Sequence, residues 1–156
     1  MDKPRADTTP RHFTSFTDAR NRFRQVLDAA RLGLVTTVDR DRERFVVLAA
    51  ENLRQDLARL RPANAQVVAE GGGWAAVLPG LPAHGDGETF DAAVDDLVEA
   101  LREYAEDWNV RLHLAPNHRP HRAVVQLIEL SNDEQLRDWI LGRDDAASRP
   151  GQLASA

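Results

Sequence analysis

The chain has 156 residues, no cysteine, and 20 Lys/Arg against 25 Asp/Glu, a formal charge of −5 at pH 7. That length allows one or two small domains, and the lack of cysteine excludes a disulfide framework or a cysteine-ligated zinc site. The N-terminal Met-Asp-Lys-Pro-Arg-Ala-Asp has no apolar h-region and no long apolar run follows, so neither a secretory leader nor a membrane span is expected and the cytoplasm is the expected compartment.

The charge is unevenly spread. Residues 1–61 hold thirteen Lys/Arg against nine Asp/Glu, net +4, whereas residues 62–156 hold seven against sixteen, net −9. A basic half can track phosphates, and an acidic half can meet a basic protein.

Residues 1–11 are polar with two prolines and read as a loose tail. His12 to Phe16 is a short extended run entering a helix, for which Thr17 is the expected N-cap. Phe16, Ala19, Phe23, Val26, Leu27 and Ala30 recur at helical spacing, and Gly33 follows the last of them as a C-terminal stop. Val35–Val38 and Phe45–Leu48 read as strands, with the turn carried by Asp39 to Arg44. A second helix is expected over Glu51–Arg61, with Leu53, Leu57 and Leu60 on one face and Pro62 ending it.

The arginines avoid the apolar stripe. Arg20, Arg22 and Arg24 sit on the first half of the helix, and Arg40, Arg42 and Arg44 ride the hairpin turn. Taken alone, such runs are first a solvated helix face and a polar turn, and second a surface for nucleic-acid phosphates. Phe16-Thr17-Asp18-Ala19-Arg20, the helix, the hairpin with a basic turn at Arg40 and the helix from Glu51 resemble the Phd/YefM antitoxins over residues 12 to 61. The family usually has a glycine in that turn, where this chain has Asp-Arg-Glu. The resemblance implies a β-α-β-β-α domain that forms homodimers and binds operator DNA. It turns the reading of Arg20, Arg22, Arg24, Arg40, Arg42 and Arg44 toward DNA contact, with Thr17 and Asn21 as helix-start contacts.

The second half opens with a hairpin, residues 65–70 and 74–78, joined at Gly71-Gly72-Gly73. A loop rich in Pro and Gly follows, with a short third strand around Ala83-His84. Thr89 caps the longest helix, whose apolar stripe runs from Phe90 through Leu97 and Leu101 to Trp108 and whose other face is acidic. Residues 123–130, Ala-Val-Val-Gln-Leu-Ile-Glu-Leu, read as a strand. Ser131 with Glu134 reads as a capping box for a last helix bearing Leu136, Trp139 and Ile140, closed by Gly142. Residues 143–156 read as a frayed tail.

Gly73-Trp74-Ala75-Ala76-Val77-Leu78-Pro79-Gly80-Leu81-Pro82, then Gly85-Asp86-Gly87-Glu88-Thr89 and the amphipathic helix, resemble the HicB-like antitoxin domain over about residues 65 to 130. That resemblance implies a partial ribonuclease-H-like ββ(β)αβ fold. Such proteins add a DNA-binding segment after this domain; here one helix follows, and the upstream half can take that role.

An enzymatic reading, a metal-dependent hydrolase using the acidic loop at Asp86, is weighed against a structural one, and the structural one is preferred. Asp86 and Glu88 suit a turn and a helix start, and Asp91, Asp95 and Asp96 suit a solvent face. His113, His118 and His121 have no metal-ligand spacing, and no glycine loop is placed to cradle phosphate. No catalytic residue, metal or cofactor is expected. Trp74, Trp108 and Trp139 fit either a core or a partner-anchoring role, with core preferred for Trp108.

The expected fold is α+β in two domains, 12–61 for dimerisation and DNA binding and 65–142 for toxin binding. The expected function is the antitoxin of a type II toxin–antitoxin pair that neutralises a RelE-like toxin, and the resemblance implies that it represses its own operon. Trp74, Leu136 and Trp139 are the expected toxin contacts. The alternative is a DNA-binding regulator or adaptor without a toxin partner.

Overall fold

The computed structural model describes residues 11–143. The tails expected over 1–11 and 143–156 lie outside these residues apart from Arg11 and Arg143. The chain divides into two compact units at Leu53/Arg54, inside a helix.

In the first unit β1 (His12–Phe13) pairs in parallel with β2 (Thr36–Arg40), which pairs antiparallel with β3 (Glu43–Val47). The intervening segment is helical in two pieces, α1 (Phe16–Asn21) and α2 (Phe23–Arg31), rather than the single expected helix. The break is at Arg22, at φ −116° and ψ 32°. A single apolar stripe therefore does not run through the segment. Phe16 and Phe23 stay more than half exposed, while Ala19, Val26, Ala29 and Ala30 are buried. Phe13, Ala19 and Val26 form a small core against which Val38 and Val47 pack.

The N-cap is Ser15, not Thr17. Ser15 is extended and its Oγ accepts the Asp18 N–H at 3.1 Å, whereas Thr17 lies within the first turn. Gly33, at φ +76°, follows α2 as expected. The hairpin turn is tighter than the sequence suggests. Arg40 pairs with Glu43, leaving Asp41 and Arg42 alone at the tip with φ of 50° and 69°. Two successive positive φ values define a type I′ turn, whose twist matches that of the flanking strands.

Helix α3 (Ala50–Leu60) begins in the first unit and continues into the second. Leu57 is buried, but Leu60, placed by its spacing on the same face, is 77% exposed. The second unit then forms an antiparallel sheet in the order β4 (Gln66–Glu70), β5 (Gly73–Val77), β6 (His84–Gly87). Helix α4 (Phe90–Val110) packs across it, capped by Thr89, whose Oγ1 accepts the Ala92 N–H at 3.1 Å. The stripe Ala93, Val94, Leu97, Val98, Leu101, Tyr104 and Ala105 is buried as expected.

Residues 123–130 are not a strand. They form helix α5 (Arg122–Leu130), entered through a 3-10 turn at Arg119–His121. The two valines suggest β structure, yet the buried side chains are Val125, Leu127 and Ile128, with Glu129 exposed. Burial at 125 and 128 is helical spacing, and Pro120 suits a helical start. Among the described residues no strand follows α4, so the expected ββ(β)αβ order lacks its closing strand. Helix α6 (Asp133–Ile140) is opened by a reciprocal box between Asn132 and Gln135, both bonds 2.8 Å. The expected Ser131–Glu134 box is displaced by one residue. Ser131 is buried and donates its hydroxyl to the Leu127 carbonyl at 2.6 Å. No helix among the described residues is long and apolar enough to cross a membrane.

Candidate nucleic-acid and partner surfaces

The fold of the first unit brings the start of α1 beside the hairpin tip. Thr14, Ser15, Phe16, Asp39, Arg40, Asp41 and Arg42 line one open groove of about 400 Å³. The Arg40 guanidinium lies over the Phe16 ring, 5.8 Å from its centroid. This contact explains why Phe16 is not core: its ring backs a cation at the surface. The sequence reading missed Ser15, although Ser15 and Asp18 have the spacing that marks a helix start.

The six arginines fall into two groups. Arg22 donates to both Asp18 carboxylate oxygens, with its Nε at 2.8 Å from Oδ1, and lies 5.0 Å from the Phe13 ring centroid. Arg44 forks onto Asp39 at 2.7 and 3.0 Å. These two arginines hold Asp18 and Asp39 below the usual carboxylate range, chiefly through the hydrogen bonds they donate. Arg40 reaches only its neighbour Asp41, at 3.3 Å. Among the described residues Arg20, Arg24 and Arg42 make no ion pair and are exposed. The available positive charge is therefore Arg20 and Arg24 on the helices, with Arg40 and Arg42 on the turn. Thr17 and Asn21 are exposed on α1 beside them in sequence.

In the second unit, Leu136 is fully buried and Trp139 is 4% exposed. Both are core side chains in this fold, which for Trp139 is one of the two roles its sequence position left open. Trp74 is half-buried at the start of β5, edge-on to Phe90 at 5.5 Å, and keeps an accessible face. Three of the carboxylates weighed as metal ligands have other partners. Asp91 and Asp95 both accept from Arg137, and Asp96 accepts the backbone N–H of Asp86. His118 and His121 turn to the Tyr104 hydroxyl, and His113 to the Trp108 carbonyl. No group of His, Cys, Asp or Glu among the described residues is arranged to hold a metal ion.

The described residues form a small α+β protein with a basic hairpin unit and an acidic sheet-and-helix unit. Residues 11–142 match the family described as PHD_like, antitoxin of toxin–antitoxin, RelE/RelB, TA system, and the chain belongs to that family. Its fold is similar to a crystal structure from Syntrophomonas wolfei subsp. wolfei, described as the antitoxin part of a candidate toxin/antitoxin system. The likeness has a TM-score of 0.69 and 24% identity and covers 81% of this chain and 94% of that one. At that identity it speaks for the fold alone. Among curated proteins no sequence matches the chain.

Proposed function

We propose that this antitoxin works in two halves, a Phd/YefM-like N-terminal half and a C-terminal half that is HicB-like up to the end of α4. The N-terminal half, residues 12–61, forms a homodimer and binds operator DNA. The C-terminal half, residues 65–142, binds and blocks a RelE-like toxin in the cytoplasm.

One observation supports the DNA reading above the others: four arginines of the first unit, Arg20, Arg24, Arg40 and Arg42, are exposed and not consumed by strong internal pairs, although the chain is acidic overall. A solvated surface has no need to leave Arg20, Arg24 and Arg42 without carboxylates and Arg40 with only its exposed neighbour Asp41. A phosphate-tracking surface does need it. Thr17 and Asn21 add hydrogen-bonding groups on the same helix. Dimerisation is supported by apolar side chains that the first unit cannot cover, among them Phe23, Leu27, Leu32, Val35 and Phe45. A two-fold partner would cover them.

The test is a pair of measurements. Gel shifts of the full chain on its upstream DNA should show salt-sensitive binding, and co-expression should protect cells from the adjacent toxin. DNA binding without protection supports a regulator that has no toxin. Protection without DNA binding removes the role assigned to the arginines.

A further inference from the structure

The second unit has one guarded sheet edge and one bare edge. The hairpin between β4 and β5 sets the pattern. Glu70 pairs with Gly73 across Gly71 and Gly72, both at positive φ, so the flanking pair exchanges both main-chain hydrogen bonds. Alternation then makes Val68–Ala75 and Gln66–Val77 hydrogen-bonded pairs as well. Val67 and Ala69 therefore point their N–H and C=O groups away from β5, out of the sheet. The same alternation carried to β6 points the Asp86 N–H outward, and there Asp96 Oδ2 accepts it at 2.8 Å. The β6 edge is closed by a side chain of α4.

The β4 edge has no such cover. Among the described residues no strand pairs with it. It contains no proline, lysine or arginine, its register with β5 is unbroken by a bulge, and Gln66, Val68, Ala69 and Glu70 are exposed. Those are devices that ordinarily blunt an edge strand, and of the charged side chains that do the same β4 has one, Glu70 at its end. By contrast the outer edge of β3 carries the charged Glu43 and Arg44.

Resting on the toxin-binding reading above, we propose that β4 is the toxin-docking strand: the toxin adds an extended, basic segment to it through the main-chain groups of Val67 and Ala69. Strand addition takes affinity from main-chain hydrogen bonds and specificity from flanking side chains. The choice of occupant follows from charge. Residues 62–156 carry −9, and β4 itself ends in Glu70. Joining two copies along this edge would bring two such halves together, whereas a cationic partner gains from both.

The experiment is amide hydrogen exchange on the full-length chain, alone and with the co-expressed RelE-like toxin of the adjacent gene, together with the variant A69P. Proline on an edge strand with an outward N–H leaves the β4–β5 ladder intact. Val67 and Ala69 amides should exchange fast in the free protein and at least about tenfold more slowly in the complex, and A69P should weaken toxin binding by about tenfold. Should A69P fail to fold, the exchange measurement on the unaltered chain decides. A complex in which both amides still exchange fast overturns the proposal and leaves the antitoxin reading standing. Protection that appears without toxin and grows with protein concentration assigns the edge to a second copy and also overturns it. If the unaltered chain forms no complex at all, the toxin-binding reading itself fails.

Discussion

The indole Nε1 of Trp139 donates a 2.7 Å hydrogen bond to the main-chain carbonyl of Arg61, joining residues 78 positions apart. The ring is buried in α6 while the carbonyl ends the turn after α3, so one side chain fastens the two ends of the second unit. Replacing Trp139 by Ala removes a large buried ring and leaves that carbonyl without its donor. The expected cost is about 3–5 kcal/mol, read as a lower urea midpoint. Trp139→Phe should cost less, since it keeps most of the packing. A Trp139→Ala variant with unchanged stability and weakened toxin binding would return this residue to the surface.

Gly85 is fixed by a different constraint. A Cβ there would lie 2.2 Å from the Leu97 nitrogen and 2.4 Å from the Ala93 carbonyl oxygen, both main-chain atoms of α4. Neither can swing aside as a flexible side chain does. Gly85→Ala should therefore push β6 off α4 and lower stability by about 1–3 kcal/mol, measurable by thermal melting. Gly80, in a loop where a Cβ meets nothing within 4 Å but φ is +86°, should show only the backbone penalty.

Much of this was legible in the sequence, and the failures have identifiable causes. The α4 stripe and its Thr89 cap could be read because 21 residues of helical period leave little ambiguity. Residues 122–130 could not, because a nine-residue run containing Val-Val and Leu-Ile suits a strand or a buried helix equally until its neighbours are known. The break at Arg22 was hidden because its partners, Asp18 and Phe13, are tertiary as well as local. The division of the arginines into paired and available sets was invisible for the same reason: Arg44, in β3, faces Asp39 across the hairpin, whereas Arg42, at the tip, faces no carboxylate among the described residues. Trp139 could be placed on an apolar face, but which surface covers that face is not written in spacing.

The Tyr104 hydroxyl lies 2.9 Å from His118 Nδ1 and 2.6 Å from His121 Nδ1. A phenol has one proton, so it donates to one ring and accepts an N–H from the other. Burial, then His118 and then Arg61, hold His121 below its ordinary value of 6.5. With the folded value depressed, the unfolded chain takes up the proton first. The stability is fully present above about pH 6.5 and is lost as pH falls through the folded value. Melting temperature should therefore drop on acidification below about pH 6.5, and His121→Gln should make that drop shallower. Equal pH slopes in the two proteins would remove His121 from the account.

On operator DNA the two classes of arginine should separate. Arg20→Ala should lower the slope of log K against log salt by about one. Arg22→Ala should instead cost stability, because Asp18 and Phe13 lose their partner. Matched gel-shift salt titrations and denaturation curves distinguish these effects. If both variants reduce the salt slope equally, the division of the arginines by internal pairing does not decide DNA contact.

Arg42 is the position where stability and binding pull apart. It sits at the tip of a type I′ turn with φ of 69°, a conformation that glycine adopts freely and a long side chain does not. Asp41, at φ 50°, is less penalised because its short side chain can bond locally. Keeping arginine at the second turn position costs about 1 kcal/mol or more of backbone strain, and nothing within the unit repays it, since Arg42 makes no ion pair among the described residues. Arg42→Gly should therefore raise the urea midpoint while weakening operator binding and reducing its salt slope by about one. Arg42→Lys keeps the charge and the strain, so it should preserve the slope and gain no stability. The pair tells the two effects apart in a way alanine cannot. If Arg42→Gly is more stable and binds DNA with unchanged affinity and slope, the arginine is not a phosphate contact, and the strain at the tip has no function in DNA binding.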